Sequence, residues 1–197
     1  MILFLLSNRN KKETPNTTNL TKGNGSFVLM IQLREARLTD IPLIQELTNQ
    51  IWPLTYGHII SKEQISFMLK MMYSTESLKN QLTQENLRFY IITLNGKPVG
   101  YTSCELHLEP KTAKIHKLYL SHDLHGKGYG KIVVTQLEEV VAQNNNEYLI
   151  LHVNRHNTAV DFYKRIGFEI IKEEDINIGN DYFMNDYVMR KKLAPIK

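Results

Sequence analysis

The stretch Leu118-Tyr119-Leu120-Ser121-His122-Asp123-Leu124-His125-Gly126-Lys127-Gly128-Tyr129-Gly130-Lys131 decides how the chain is read. Three glycines stand at every second position between an apolar strand-like run and an apolar helix-like one. Glycine permits positive φ and lets the backbone come close to a ligand. A helix starting there presents unpaired N–H groups and the positive end of its dipole. Lys127 and Lys131 add charge. The combination suits a phosphate or pyrophosphate. The spacing is not G-x-G-x-x-G and comes late in the domain, which argues against a dinucleotide fold. The G-x-x-x-x-G-K-[ST] of a nucleotide-hydrolysing loop is also missing.

Just upstream, the strand Ala113–Leu120 changes parity. Ala113 and Ile115 occupy one phase, Leu118 and Leu120 the other. A one-residue slip turns every later side chain to the opposite face. Either both faces are buried or a β-bulge lies near His116-Lys117, bending the strand and leaving backbone groups open to a ligand.

Downstream, Val133, Val134, Leu137, Val140 and Val141 mark an amphipathic helix to about Gln143, ended by Asn144-Asn145-Asn146. Tyr148–Val153 is apolar except for His152, as in a parallel strand covered on both faces; His152 reads as a hydrogen-bonded core histidine. Strand, helix and strand imply a right-handed crossover. A last helix aligns Ala159, Phe162, Tyr163 and Ile166, with Lys164 and Arg165 in its final turn and Gly167 beyond. Strands follow at 168–174 and 182–191.

Before the turn, Ile31–Arg37 alternates as an edge strand. Thr39-Asp40 offers a helix N-cap with Pro42 in the first turn. Leu43, Leu47, Ile51 and Leu54 keep helical spacing until Pro53 disturbs it. Ser61-Lys62-Glu63-Gln64 has the pattern of a reciprocal capping box and opens a second helix; Ser74–Gln84 is a third helical piece. Leu87–Leu94 and Pro98–Leu108 form a hairpin about Asn95-Gly96, a pair that tolerates positive φ at both positions. The element order is that of one α/β (α+β) layer domain with a mixed central sheet.

Of the net charge of +4, residues 1–30 hold four bases against one acid, so the rest is close to neutral and has no basic stripe for nucleic acid. MILFLLSN is too short to span a bilayer and lacks a basic flank. Residues 1–30 are expected to be a mobile extension, with Met30 the start of a folded unit over 31–197. One cysteine, Cys104, excludes an intrachain disulfide and fits a cytoplasmic protein. His58, His107, His122 and His156 show no ligand spacing, so no metal is expected.

His125-Gly126-Lys127-Gly128-Tyr129-Gly130, preceded by Leu118-Tyr119-Leu120, resembles the [Q/R]-x-x-G-x-[G/A] signature of the GNAT superfamily of N-acetyltransferases. Asn157-Thr158-Ala159-Val160-Asp161-Phe162-Tyr163-Lys164-Arg165-Ile166-Gly167-Phe168 resembles its second signature. The two signatures, their spacing and the element order together cover about residues 31–192. His125 departs from the usual Gln or Arg. The resemblance implies a sheet with a splayed parallel pair and helices on both faces, and acetyl-coenzyme A as co-substrate. It implies that backbone groups of Leu118 and Leu120, flanking Tyr119, pair with the pantetheine arm, and that amides from Gly126 to Lys131 hold the pyrophosphate. Asn157 would contact the arm and Tyr163 would lie beside the sulfur.

Acetyl transfer to an amine needs a base, a donor to the carbonyl oxygen, and an acid or dipole for the thiolate. Tyr163 is the candidate acid, although a core tyrosine reads identically. Relatives often carry a glutamate on the strand before the turn; here Lys114-Ile115-His116 stands there, leaving His116 and Glu105 as competing bases. Trp52 and Tyr56, in the segment that shapes the acceptor pocket in relatives, either line that pocket or, for Trp52, cap the core. The helical region and Phe183-Met184-Asn185-Asp186-Tyr187 are more loosely similar to bacterial spermidine/spermine N-acetyltransferases of the PaiA type; a polyamine pocket needs carboxylates, for which Glu105, Glu109 and Asp186 are the candidates. The expected partner is thus a small-molecule amine, a homodimer being left open. A protein acetyltransferase and a silent acyl-coenzyme A-binding domain are the alternatives.

Overall fold

The computed structural model describes residues 30–195. The extension expected over residues 1–30 lies, but for Met30, outside them. The chain runs β1 (Ile31–Glu35), α1 (Ile41–Tyr56), α2 (Lys62–Tyr73), α3 (Thr75–Leu82), β2 (Leu87–Leu94), β3 (Lys97–Glu109), β4 (Thr112–Leu120), α4 (Tyr129–Gln143), β5 (Tyr148–Asn154), α5 (Ala159–Arg165), β6 (Glu169–Gly179) and β7 (Tyr182–Lys192). The strands form one mixed sheet in the order β1-β2-β3-β4-β5-β7-β6, in which β4 and β5 are parallel and the other pairs antiparallel. One core fills the face under α4 and α5, around Cys104, Ala113, Ile115, Val134, Leu137 and Leu151. The other lies under α1 to α3, around Ile44, Trp52, Leu78, Phe89, Ile91 and Tyr101.

The hairpin forms where its turn pair requires, with φ of 51° at Asn95 and 79° at Gly96. The alternation on β3 ends at His107, which turns to φ 55° and gives its N–H to Asn146 Oδ1 at 3.1 Å.

The parity slip in β4 is a bulge. Lys117 pairs with Ser103 and Ile115 with Cys104, so His116 is the extra residue. With one residue inserted, Ala113, Ile115, Leu118 and Leu120 all reach the same core. The bulge also ends the parallel pairing. Thr112–Ile115 match Tyr148–Leu151, after which β5 continues against β7 while β4 bends away with β3.

Three local expectations are corrected. Pro53 does not break α1, which continues to Tyr56. Proline removes one helical bond, but the final turn is held by Trp52, whose ring lies 4.9 Å from Tyr56, 5.4 Å from Tyr73 and 5.7 Å from Tyr119 between centroids. Leu54 is not on the buried stripe but 59% exposed; Ile44, Leu47, Thr48, Ile51 and Trp52 form it. The capping box on α2 is half made. Ser61 accepts from the Gln64 N–H at 3.1 Å, but the Gln64 amide donates to the Phe183 carbonyl at 2.9 Å, tying α2 to β7.

Candidate active site

Where β4 and β5 part, a cleft of about 770 Å³ opens between the splayed strands, the glycine turn and α5. Gly126 and Gly128 hold φ of 73° and 85°, and α4 begins immediately with no side-chain cap. Among the described residues, the N–H groups from Gly126 to Gly130 have no acceptor. Five backbone donors are therefore left free at and just before a helix N-terminus, a setting that favours an anion. The Lys131 N–H is already bonded to the Gly128 carbonyl at 3.1 Å, so its contribution is the side chain, which lines the cleft. Lys127 is exposed, and the Tyr129 ring packs on the core. A Cβ on Gly130 would meet Phe162 Cζ at 3.2 Å, so α4 and α5 are in close contact beside the turn.

His125 donates through Nε2 to the Leu120 carbonyl at 3.1 Å and so fastens the turn to the end of β4. The Tyr119 carbonyl faces Gly100 of β3, so by strand alternation the edge left open by β5 is formed by the backbone of Leu118 and Leu120, the Leu120 carbonyl already holding His125. Opposite, Asn157 lines the cleft while its Oδ1 accepts from the Ala159 N–H at 2.8 Å, capping α5. Tyr163 lines the cleft from α5, buried between Phe162 and Phe168. Burial pushes its phenol well above the ordinary value, so it stays protonated.

A smaller cavity of about 100 Å³ adjoins the cleft between α1, α2, β4 and β7. Tyr56, His116, Lys117, Tyr119 and His152 line both spaces and mark their junction. Trp52 does two things: at 1% exposure it belongs to the core, and its ring forms the inner wall of this cavity. Tyr56 and Tyr119 share a hydrogen bond of 3.1 Å between their hydroxyls.

At the junction the two competing bases are partners. His116 Nε2 lies 2.7 Å from Glu105 Oε2. Burial is the main influence on His116 and lowers its pKa; the bond to Glu105 works against this, and the charges of Lys114 and Lys117 add to it. The same bond holds Glu105 below the usual carboxylate range. At neutral pH the pair is thus an imidazole donating Nε2–H to a carboxylate, with its lone pair on Nδ1. His116 reaches Glu105 from the bulge, while Glu105 itself stands opposite Lys114.

Other residues of this region have surroundings that the sequence does not show. His152 is bonded, as expected, with Nε2 3.3 Å from Lys114 Nζ, yet it also faces both cavities; burial first, then Lys114, push its pKa down to about 4. Lys117 is lowered to about 8 by burial, with Nζ 2.6 Å from Gln81 Oε1 and 5.5 and 5.7 Å from the Tyr73 and Phe89 ring centroids. Asp186 is 4% exposed, and burial raises its pKa to about 6. Asp186 is among the carboxylates expected of a polyamine pocket, whereas a lysine on an amphipathic strand reads as solvated, so no local signal marks Lys117. Among the described residues no cluster of metal-ligating side chains occurs, and no helix is long and apolar enough to cross a membrane.

The acetyltransferase (GNAT) domain model matches residues 58–184. The spermidine N(1)-acetyltransferase of Thermoplasma acidophilum is 26% identical over 161 residues, which is 79% of this chain and 96% of that protein. An uncharacterized N-acetyltransferase of Lactobacillus delbrueckii subsp. lactis is 23% identical over 174 residues, 85% of this chain and 98% of its own. Among solved structures, the PaiA N-acetyltransferase of T. acidophilum in complex with coenzyme A has a TM-score of 0.70 at 24% identity, over 82% of this chain and 98% of that one. The ribosomal-protein-S18-alanine N-acetyltransferase of Escherichia coli has a TM-score of 0.63 at 16% identity, over 85% and 97%. The family match spans the splayed strands, the turn with its free N–H groups and α5, and the chain belongs to the GNAT acetyltransferases, which take their acetyl group from acetyl-coenzyme A.

Proposed function

We propose that the protein acetylates a primary amine of a small molecule by direct attack, and that polyamines are its acceptor class. The observation that carries this is His116, which stands at the meeting point of the two cavities and is hydrogen-bonded to Glu105 behind it. An alkyl ammonium has a pKa of roughly 10 and must lose a proton before attack. His116, neutral and oriented by Glu105, takes that proton on Nδ1. The amine nitrogen then bonds to the acetyl carbonyl carbon, the carbon–sulfur bond breaks, and coenzyme A leaves as a thiolate. Tyr163 supplies a proton or hydrogen bond to the sulfur. The free amides from Gly126 to Gly130 hold the pyrophosphate, the edge at Leu118 and Leu120 takes the pantetheine arm, and Asn157 borders it from α5.

The acceptor class is supported by the activity named for the Thermoplasma relative and by the smaller cavity itself. Aromatic and methionine side chains with one buried carboxylate suit a cation on a methylene chain. A space of about 100 Å³ closed by α2 and β7 favours a slender amine over an extended polypeptide. The histidine–carboxylate pair speaks against a silent binding domain. Cys104, buried and unpaired, is in keeping with a cytoplasmic setting.

Thiol release from acetyl-coenzyme A, followed with polyamines, amino acids and peptides, tests this. Release is expected with polyamines; release with peptides alone moves the acceptor to proteins, and release with none leaves a binding domain. Tyr163→Phe is expected to lower kcat by roughly 10- to 100-fold with little change in acetyl-coenzyme A affinity. Unchanged turnover removes the phenol from the reaction.

A further inference from the structure

Building on the reading of a small-molecule amine acceptor, we propose that the smaller cavity is polarised. Lys117 on one wall keeps the reacting nitrogen uncharged, and Asp186 on the opposite wall holds a second, cationic nitrogen of the same molecule.

The two side chains belong to different halves of the split sheet. Lys117 follows the bulge on β4, whereas Asp186 is on β7, with β5 and the splay between them. Both line the cavity. Lys117 has no carboxylate within salt-bridge distance among the described residues; its partners are Gln81 Oε1 and the faces of Tyr73 and Phe89. A buried cation without a counter-charge disfavours a second cation beside it. The titratable groups about it are His116 on β4 and Tyr73 on α2. An ammonium arriving at the junction is therefore pressed to give up its proton where His116 stands to receive it.

Asp186 is the converse. Its carboxylate is buried, faces the cavity and, among the described residues, has no side-chain hydrogen bond. Its charged and titratable neighbours are Tyr56 on α1, Lys114 on β4, Arg155 after β5 and Glu174 on β6. Both of those cations are engaged elsewhere: Lys114 contacts His152, and Arg155 bridges Glu173 and Asp175. A buried carboxylate is costly without a partner. A ligand cation supplies that partner, and Trp52, Tyr56, Met68 and Met184 between the two walls suit the methylenes joining two nitrogens. A monoamine reaches Lys117 but leaves Asp186 unpaired, and discrimination rests on that difference.

The test compares butylamine with 1,4-diaminobutane as acceptors for the full chain and for Asp186→Asn, Lys117→Met and Lys117→Arg, with coenzyme A binding as the check on folding. Wild type is expected to prefer the diamine by about tenfold or more in kcat/KM, and Asp186→Asn to cut that preference to about threefold or less through KM. Lys117→Met is expected to move the acid limb of kcat/KM up by roughly one pH unit, because removing a nearby cation raises the pKa of His116 in the free enzyme. Lys117→Arg keeps the limb in place. A diamine preference that survives Asp186→Asn, or a limb that Lys117→Met leaves unmoved, overturns the polarised cavity. Equal release with both amines overturns it while amine acetylation stands, whereas release with no amine overturns both.

Discussion

Replacing His116 with alanine is expected to lower kcat with every amine acceptor by about two to four orders of magnitude, while acetyl-coenzyme A binds nearly as in wild type. The imidazole stands where the donor cleft meets the acceptor cavity, 2.7 Å from the carboxylate that orients it. It does not line the glycine turn, so anion binding is spared. The pH profile carries the sign. Burial lowers the pKa of His116, so the imidazole stays a competent base below the ordinary histidine value of about 6.5, and the acid limb of the rate is expected there. The Glu105 hydrogen bond raises that pKa. Glu105→Gln therefore weakens the base, moving the limb to lower pH and reducing the plateau. A limb that moves upward in Glu105→Gln contradicts the pairing; full turnover in His116→Ala removes the histidine from the reaction.

Gly100→Ala is expected to destabilise the fold by about 3 kcal/mol or more, read as a lower urea midpoint. Gly100 on β3 stands opposite Leu120 on β4. A Cβ there would lie 2.1 Å from the Tyr119 carbonyl oxygen and 3.0 Å from the Leu120 Cα. Both are backbone, so no side chain can swing aside, and the strands must separate. They would do so where β4 has already lost β5 as a partner and where Tyr119 lines the junction. Activity is expected to fall along with stability. Gly130 provides the contrast: an added Cβ meets only the tip of the Phe162 ring at 3.2 Å, which can shift. An unchanged midpoint for Gly100→Ala would show that β4 moves freely past the bulge.

Features set by neighbouring residues were legible without the fold. The Asn95-Gly96 hairpin, the left-handed glycines 126 and 128, the end of α5 at Gly167 and the parity slip in β4 all depend on steric rules acting over a few residues. The parity change allowed either a strand buried on both faces or a bulge near His116-Lys117, and the pairing of β3 with β4 decided for the bulge. Pro53 was misleading for the same local reason: the lost helical bond shows in the sequence, while the aromatic packing of Trp52 that offsets it does not.

By itself the sequence determined the donor side: a glycine turn ahead of a helix, a slipped strand before it, and the element order that joins them. These are backbone features, and local residue types specify backbone conformation. Only the tertiary structure decided the acceptor side. It joined Glu105 to His116, which the sequence left as rivals, through the register of β3 on β4. It buried Lys117, which reads as a solvated strand residue, and Asp186, one of three candidate carboxylates, in the lining of one cavity. Their chemistry comes from desolvation and from strands far apart in the chain, and neither is written in any short stretch of residues.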